Sequence, residues 1–326
     1  MNNIILATDD NYAIPCMVTI ASILTNNDPK KYSIHIMTKG LNEQNTQLLA
    51  SLRKTFNNAS INIVTIDTKL LQGAITSRRF PIANFFRLMI PNVFTFSKAL
   101  YLDCDIIVNR NIDNIWNIEL GNNACGMVED QACEDITLHN RIGIYTPYYN
   151  AGVLLMNLEV WRKENISEKL IAFMSDYPEK CLYPDQDAIN NVLCKRITPI
   201  PYTYNFQERW YEPQHEWLMH RNKWAAIDEA KKAPCILHYT GPQKPWMAGC
   251  SHPLADLYFK YRKTFIPNSD NIEEEKIKTQ QKHARNRADE ERRRRHKHIR
   301  RANLFTILFA IETLLVLTYI ILHALL

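Results

Sequence analysis

Ala99-Leu100-Tyr101-Leu102-Asp103-Cys104-Asp105-Ile106-Ile107-Val108 is an apolar run broken by two carboxylates two residues apart. Read as one strand it alternates, so Asp103 and Asp105 point to one side and Cys104 to the other. Carboxylates held this close repel each other unless a cation sits between them. A hard divalent ion with oxygen ligands suits the pair, and a diphosphate would complete its shell. The plainer reading is a pair of solvated turn acids closing a strand, since Asp-x-Asp alone is a common tripeptide.

Upstream of this run, short β-rich segments alternate with helical ones. Asn3–Ala7, Ser33–Met37 and Ile61–Ile66 read as strands, like Ala99–Val108, with helices over Ile14–Thr25, Asn42–Phe56 and Asn84–Phe94 between them. This alternation predicts an α/β fold with a mostly parallel sheet covered on both faces. Ligands of such sheets sit outside the carboxyl ends of the strands, which points to Thr8-Asp9-Asp10-Asn11-Tyr12 and Asp103-Cys104-Asp105.

Downstream, a strand over Val153–Asn157 follows Tyr149-Asn150-Ala151-Gly152, a helix runs from Asn165 to Tyr177, and a second begins near Asp185. Asp185-Gln186-Asp187 reads either as site residues or as a helix N-terminus rich in favourable acids. Pro199–Pro267 is rich in aromatics and prolines and reads as a lid or acceptor-side region. Within it lies Leu237-His238-Tyr239-Thr240-Gly241-Pro242-Gln243-Lys244-Pro245-Trp246. A neutral His238 imidazole could ligate a metal. Gly241 permits close backbone approach, Lys244 could hold a phosphate as a point charge, and Trp246 would wall a pocket. Taken singly, His238 reads as a structural histidine and Lys244 as a surface lysine.

Composition narrows the classes. The 326 residues are 46% apolar, enough for a real core, but hold only 8 glycines and no Gly-x-Gly-x-x-Gly or Walker-type run. Bound phosphates would therefore rely on metal, lysine and isolated backbone amides. The 8 cysteines are scattered without a Cys-x-x-Cys pair, and Met1–Asp10 reads as a buried strand rather than a secretory leader, so a reducing, cytosolic setting is expected. The net charge of +5 is concentrated between Lys276 and Arg301, which leaves the body near neutral or acidic and argues against a nucleic-acid partner.

The chain changes character after Pro267. A polar segment ends in Arg292-Arg293-Arg294-Arg295-His296-Lys297-His298-Ile299-Arg300-Arg301, and Leu304–Leu326 is a nearly unbroken apolar run. As a helix this run would extend about 34 Å, against roughly 30 Å of hydrocarbon. It is expected to be a transmembrane or membrane-embedded helix, although Glu312 within it is costly in lipid and also fits an interfacial helix. The basic block places the body on the cytosolic side and can bind anionic headgroups. The expected organisation is a catalytic domain over 1–267, a basic juxtamembrane segment over 268–303, and a C-terminal membrane helix over 304–326.

Six ordered motifs carry a resemblance. They are Ala7-Thr8-Asp9-Asp10-Asn11-Tyr12, Phe86-Arg87-Leu88, Tyr101-Leu102-Asp103-Cys104-Asp105, Tyr149-Asn150-Ala151-Gly152-Val153-Leu154-Leu155-Met156-Asn157, Asp185-Gln186-Asp187 and His238 to Trp246. In order and spacing, from about Asn3 to Pro267, the chain resembles glycosyltransferase family 8, in particular its bacterial lipopolysaccharide and lipooligosaccharide galactosyl- and glucosyltransferases. The resemblance implies a glycosyltransferase A-type fold and a retaining hexosyltransferase that uses a UDP-sugar donor with Mn²⁺, or alternatively Mg²⁺. It makes Asp103, Asp105 and His238 the metal ligands. Ala7, Asp9, Asn11 and Tyr12 would line the uridine and ribose site, with Cys104 in the donor-binding set. Arg87 would lie on the donor sugar or diphosphate side, and Gly241 and Lys244 at the diphosphate. Asn150, Asp185 and Gln186 would surround the transferred sugar as the catalytic set. Glu129 stands where family members commonly carry an aspartate, and neighbouring Asp130 could substitute.

By the same comparison, negative charge developing on the diphosphate is met by Mn²⁺ and Lys244. Attack would be same-face, with Gln186 positioning the anomeric centre; double displacement through Asp185 or Asp187 is the other route. The expected acceptor is a glycan or glycolipid, such as a lipopolysaccharide core, at the cytoplasmic face of the inner membrane. The competing readings are a membrane-tethered nucleotide-sugar-binding protein without transfer activity and a nucleotide-sugar hydrolase.

Overall fold

The structure is a computed structural model that describes residues 1–71, 81–145, 147–211, 221–266, 277–282 and 284–287. Among these residues ten strands form two sheets. β1 (Asn2–Ala7), β2 (Tyr32–Thr38), β3 (Ser60–Thr65), β4 (Lys98–Leu102), β6 (Cys125–Glu129), β7 (Tyr149–Asn157) and β8 (Ile197–Pro199) make a seven-stranded sheet in the order β3-β2-β1-β4-β7-β6-β8. β5 (Ile106–Val108), β9 (Phe206–Gln207) and β10 (Ile236–His238) make a three-stranded sheet in the order β5-β10-β9. In the large sheet β3, β2, β1 and β4 pair in parallel, and so do β6 and β8, whereas β7 runs antiparallel to both neighbours. The mostly parallel α/β sheet expected from the alternation is the observed one.

Its central strands are apolar on both faces because helices cover both. Ile4, Ile5, Leu6, Leu100, Tyr101 and Leu102 are all buried, the pattern of a sheet with no solvent side. α1 (Ala13–Asn26) and α2 (Glu43–Thr55) follow β1 and β2. The Asn42 side chain caps α2 by accepting from Asn45 N, and Leu49 and Leu52 face the core. α1 is buried almost throughout, yet it carries Thr19 and Ser22 inward. The Thr19 hydroxyl reaches the carbonyls of Ile106 and Cys104 at 2.8 and 3.0 Å, and Ser22 Oγ accepts Val108 N–H at 2.9 Å. These hydroxyls satisfy β5 backbone groups that its one strand partner leaves open.

That detail marks the first departure from the sequence reading. Ala99–Val108 is not one strand. β4 stays in the large sheet, paired with β1 and β7, while β5 pairs antiparallel with β10 in the small one. Asp103-Cys104-Asp105 is the crossover: Asp103 N–H bonds Gly152 O at 2.9 Å, and Asp105 O accepts Tyr239 N–H at 3.0 Å. Each acid is thus tied to a different sheet.

The second departure is Asn84–Phe94, expected as an α-helix. The chain forms a 3-10 helix over Ile82–Met89 and then the short α3 (Ile90–Val93). Pro91 has no N–H for the carbonyl one turn back, so an α ladder cannot run through it, although it fits the first turn of a new helix. β7 also begins earlier than expected, at Tyr149 rather than Val153.

The remaining helices are α4 (Ile136–Ile142), α5 (Leu158–Lys163), α6 (Ile166–Asp176), α7 (Pro184–Val192), α8 (Arg221–Lys232) and α9 (Asp256–Arg262). The aromatic stretch after Pro199 thus contributes two strands of the small sheet as well as α8 and α9. Residues Ile277–Lys282 are helical, and Gln281 is buried, donating to Pro245 O and Met247 O at 2.6 and 3.0 Å. The apolar run at Leu304–Leu326 and the basic block at Arg292–Arg301 lie outside the described residues. Among the described residues no helix is long and apolar enough to cross a membrane.

Candidate functional site

The crossover between the sheets places Asp103 and Asp105 at the carboxyl end of β4, and β10 ends beside them at His238. His238 Nε2 lies 3.2 Å from Asp105 Oδ1 and 3.9 Å from Asp103 Oδ2. One ligand atom from each of the three residues lies within 4.8 Å of the others, close enough to share one cation. The donor set of two carboxylates and one imidazole fits a Mn²⁺- or Mg²⁺-like ion better than a soft one.

Charge around the three is balanced by buried cations. Lys244 Nζ lies 2.6 Å from Asp105 Oδ2 and 2.6 Å from Tyr239 O. Burial alone would raise the Asp105 pKa, but Lys244 and His238 together hold that carboxyl well below the usual range. Lys244 therefore stands where a positive charge is needed, and it lies in the loop that also carries Gly241. On the other side the buried Arg87 donates to Asp103 Oδ1 at 2.8 Å and lies 3.0 Å from Asp185 Oδ2. It also donates to Ala151 O and Asn84 O at 2.7 and 2.9 Å, and its guanidinium lies over the Tyr101 ring. Burial lifts the Asp185 carboxyl pKa, with Arg87 pulling against it. Tyr101 donates its hydroxyl to Asp103 Oδ1 at 2.8 Å, which leaves Oδ2 facing His238.

Asp185 and Gln186 sit in the first turn of α7, beyond Pro184. Gln186 Oε1 accepts Ala151 N–H at 3.0 Å, while Nε2 donates to Asp130 Oδ2 at 3.2 Å and to the Tyr148 hydroxyl at 3.0 Å. Asp187 turns away. It is wholly buried and holds Arg141 at 2.7 Å, the Tyr148 hydroxyl at 2.7 Å and Tyr183 N–H at 2.8 Å. Its role is therefore the structural one, capping the helix start and anchoring Arg141.

These groups enclose a cavity of about 1060 Å³. Its lining includes Ala7, Asp9, Tyr12, Arg87, Asp103, Cys104, Asp105, Asn150, Asp185, Gln186, His238, Gly241 and Lys244. Of the residues assigned to the donor, metal and catalytic sets, all but Asn11 line this cavity. Asn11 is exposed, and its backbone N–H closes a turn on Asp9 Oδ1 at 2.9 Å. Cys104 lines the cavity, but its thiol points to Ala7 O at 3.2 Å. Trp246 does not line the cavity as expected; its ring stands edge-on to Tyr12 at 5.7 Å and packs on Tyr258 at 5.0 Å, so it backs the wall that Tyr12 forms. Gly241 does allow close approach, and what approaches is Glu208, whose Oε2 accepts Gly241 N–H at 2.7 Å.

Sequence reasoning missed Tyr148, Gln131 and Glu208, which also line the cavity; Tyr148 directly precedes the Tyr149–Asn157 motif, and Glu208 opens a 3-10 helix. Glu129, at the family's aspartate position, faces Lys223 at 2.8 Å and the Tyr202 hydroxyl at 2.9 Å, whereas Asp130 lines the cavity. Burial raises the Asp130 pKa against hydrogen bonds from Asn150, Ala132 N–H and Gln186. Gly152 matters sterically. A Cβ there would overlap the His238 ring and come within 2.9 Å of Asp103 Oδ2. Gly152→Ala is expected to displace the imidazole and cost about 10²-fold in transfer rate, the scale of an ångström-sized misplacement, with metal affinity falling in parallel. A titration of Mn²⁺ against the variant checks it.

A two-sheet α/β body with an acidic crossover and a histidine opposite is the glycosyltransferase A-type arrangement. The sequence pattern of glycosyl transferase family 8 matches residues 3–250, and the chain belongs to that family of glycosyltransferases. Among curated relatives, general stress protein A of Bacillus subtilis is 26% identical over 280 residues, covering 79% of this chain and 92% of that one. Lipopolysaccharide 1,3-galactosyltransferase of Salmonella typhimurium is 27% identical over 275 residues, covering 81% of this chain and 78% of that one. The crystal structure of galactosyltransferase LgtC with donor and acceptor sugar analogues superposes with a TM-score of 0.73 at 24% identity, covering 81% of this chain and 96% of that one.

Proposed function

We propose that this chain is a retaining hexosyltransferase that moves galactose or glucose from a UDP-sugar to a glycan acceptor, with Mn²⁺ or Mg²⁺ held by Asp103, Asp105 and His238. The observation that carries the reading is the joining of this three-ligand cluster to Lys244 on one side and Asp185 with Gln186 on the other, in one cavity. The cation supplies electrostatic stabilisation of the diphosphate leaving group when bound. The chain's own residues do the rest. Ala7, Asp9 and Tyr12 receive the nucleoside, and Lys244 moves from Asp105 to the diphosphate, adding positive charge where negative charge develops. Asp185, kept near Arg87, faces the sugar as it becomes cationic. Gln186 has both amide atoms engaged, so it orients the sugar through Asp130 and Tyr148 rather than attacking it. Asp187, buried on Arg141, is out of reach as a nucleophile. Asp187 is thereby removed as a double-displacement nucleophile, and Asp185 is the one of the two carboxylates that lines the cavity.

The hexose and the acceptor class rest on relatives. Lipopolysaccharide 1,3-galactosyltransferase and lipopolysaccharide 1,2-glucosyltransferase are both in the similarity range of this chain, which supports a lipid-linked core as acceptor. The basic block at Arg292–Arg301 followed by the apolar Leu304–Leu326 supports the same choice from sequence, anchoring the body at the cytoplasmic face of the membrane. The test is incubation of the full-length protein with UDP-galactose or UDP-glucose, Mn²⁺ and lipooligosaccharide acceptors, with the product linkage read by NMR. An α-linked hexose is expected. A β-linked product contradicts retention, and free hexose as the only product contradicts transfer.

A further inference from the structure

Asn205 immediately precedes β9, is wholly buried, and does not line the cavity. Its two amide atoms have separate partners: Oδ1 lies 2.9 Å from His238 Nδ1, and Nδ2 donates to Asn150 Oδ1 at 2.9 Å. Which atom faces which follows from groups farther out. Gly152 N–H, which can only donate, bonds Asn150 Oδ1 at 3.0 Å. The other end of Asn150, Nδ2, donates to Asp130 Oδ2 at 2.9 Å. Asn150 Oδ1 is therefore an acceptor, so the Asn205 atom that meets it is the NH₂, and the Asn205 carbonyl must face His238. An amide carbonyl cannot donate, so the ring nitrogen opposite it carries a proton. His238 Nε2 then faces Asp105 Oδ1 and Asp103 Oδ2.

We propose that Asn205 is a positioning residue for the metal site: its carbonyl holds the proton on His238 Nδ1 and so presents Nε2 to the divalent cation. The proposal rests on the metal reading above and adds the residue that fixes the ligand's orientation. A metal-bound histidine is commonly steered through its second nitrogen in this way. A merely structural Asn205 would instead serve as a tie between β9 and β7 through Asn150.

Two substitutions separate these roles. Asn205→Asp keeps an acceptor for His238 Nδ1–H but gives up the donor to Asn150. Asn205→Leu gives up both. In the full-length protein, Asn205→Leu is expected to weaken Mn²⁺ binding by about 10- to 100-fold, and Asn205→Asp by no more than about threefold. The second readout is ¹⁵N-histidine NMR of the metal-free protein, with the His238 signals identified by their loss in His238→Ala. The ring proton is expected on Nδ1 in the wild type and in Asn205→Asp, and to be released in Asn205→Leu. A wild-type His238 with no proton on Nδ1 overturns the proposal, and this arm does not depend on any Asn205 variant folding. Equal loss of metal affinity in both variants overturns it as well, since that is the signature of the structural tie. A protein that keeps Nδ1–H but binds no Mn²⁺ contradicts the metal assignment itself and not the orientation of the ring.

Discussion

Asp105→Asn abolishes sugar transfer to within the detection of an assay that reads a 10³-fold loss, while the protein stays folded. Asp105 meets both His238 and Lys244, at 3.2 and 2.6 Å, and is held ionised by them despite its burial. An amide of the same shape carries no charge, so it forfeits one anionic ligand and halves the carboxylate count of the cluster. Removing one preorganised group at a developing charge costs about 10² to 10³ in rate, and loss of the cation compounds it. The fold survives because Asp105 is fixed through its backbone, by Tyr239 N–H at 3.0 Å, and because Lys244 opens onto the cavity and can turn into it. Transfer rate and thermal melting, measured side by side, check both halves. Full activity in this variant contradicts the metal cluster.

Arg87→Met has the largest expected effect on stability. Arg87 lies between Asp103 and Asp185 and also serves two backbone carbonyls, with only 6% of its side chain exposed. Removing it leaves Asp103, still held by the Tyr101 hydroxyl, and the buried Asp185 facing each other with no cation between them, and stripping one member of a buried pair costs about 3–5 kcal/mol. The penalty depends on pH in a definite direction. Burial already raises the Asp185 pKa and Arg87 opposes it. Without Arg87 the folded protein binds a proton more tightly at Asp185 than the unfolded chain does. Stability lost at neutral pH is therefore regained as pH falls. Urea unfolding of both proteins at pH 7.5 and at pH 5.5 reads this, and the gap between them narrows at the lower pH. Arg87→Lys is expected to fall between the two, because one ammonium cannot span both carboxylates and both carbonyls.

The order of strands and helices up to Val108 was legible in the chain because parallel strands buried on both faces leave continuous apolar runs. The break within Ala99–Val108 was not. The alternation of side chains persists through Asp103-Cys104-Asp105, and the chain there is held by the bond that Asp103 N–H donates to Gly152 O and by the hydroxyls of Thr19 and Ser22, all distant in sequence. Asn84–Phe94 has a helical pattern, and only the ladder broken at Pro91 turns it into a 3-10 helix followed by a single α turn. In the site, Asp103, Asp105, His238 and Lys244 were recognisable as parts of motifs. Asn205 was not, since it lies among Tyr202, Tyr204 and Phe206 with no local signal, and its meaning comes from His238 on β10 and Asn150 on β7. Tyr148 is a similar case, whereas Asp130 was legible as the neighbour that could replace Glu129; both are bound by the Gln186 amide.

The most direct measurement is calorimetric titration of UDP into the full-length protein with and without Mn²⁺, repeated with Asp105→Asn. The full chain is the right material because Gln281 holds the carbonyls of Pro245 and Met247, next to Lys244, and cutting after Pro267 would remove that support. Tight binding that requires Mn²⁺ and is lost in Asp105→Asn is the expected result for a nucleotide-diphosphate site built around a cation. Binding of equal strength without the metal, or unchanged by the substitution, contradicts it.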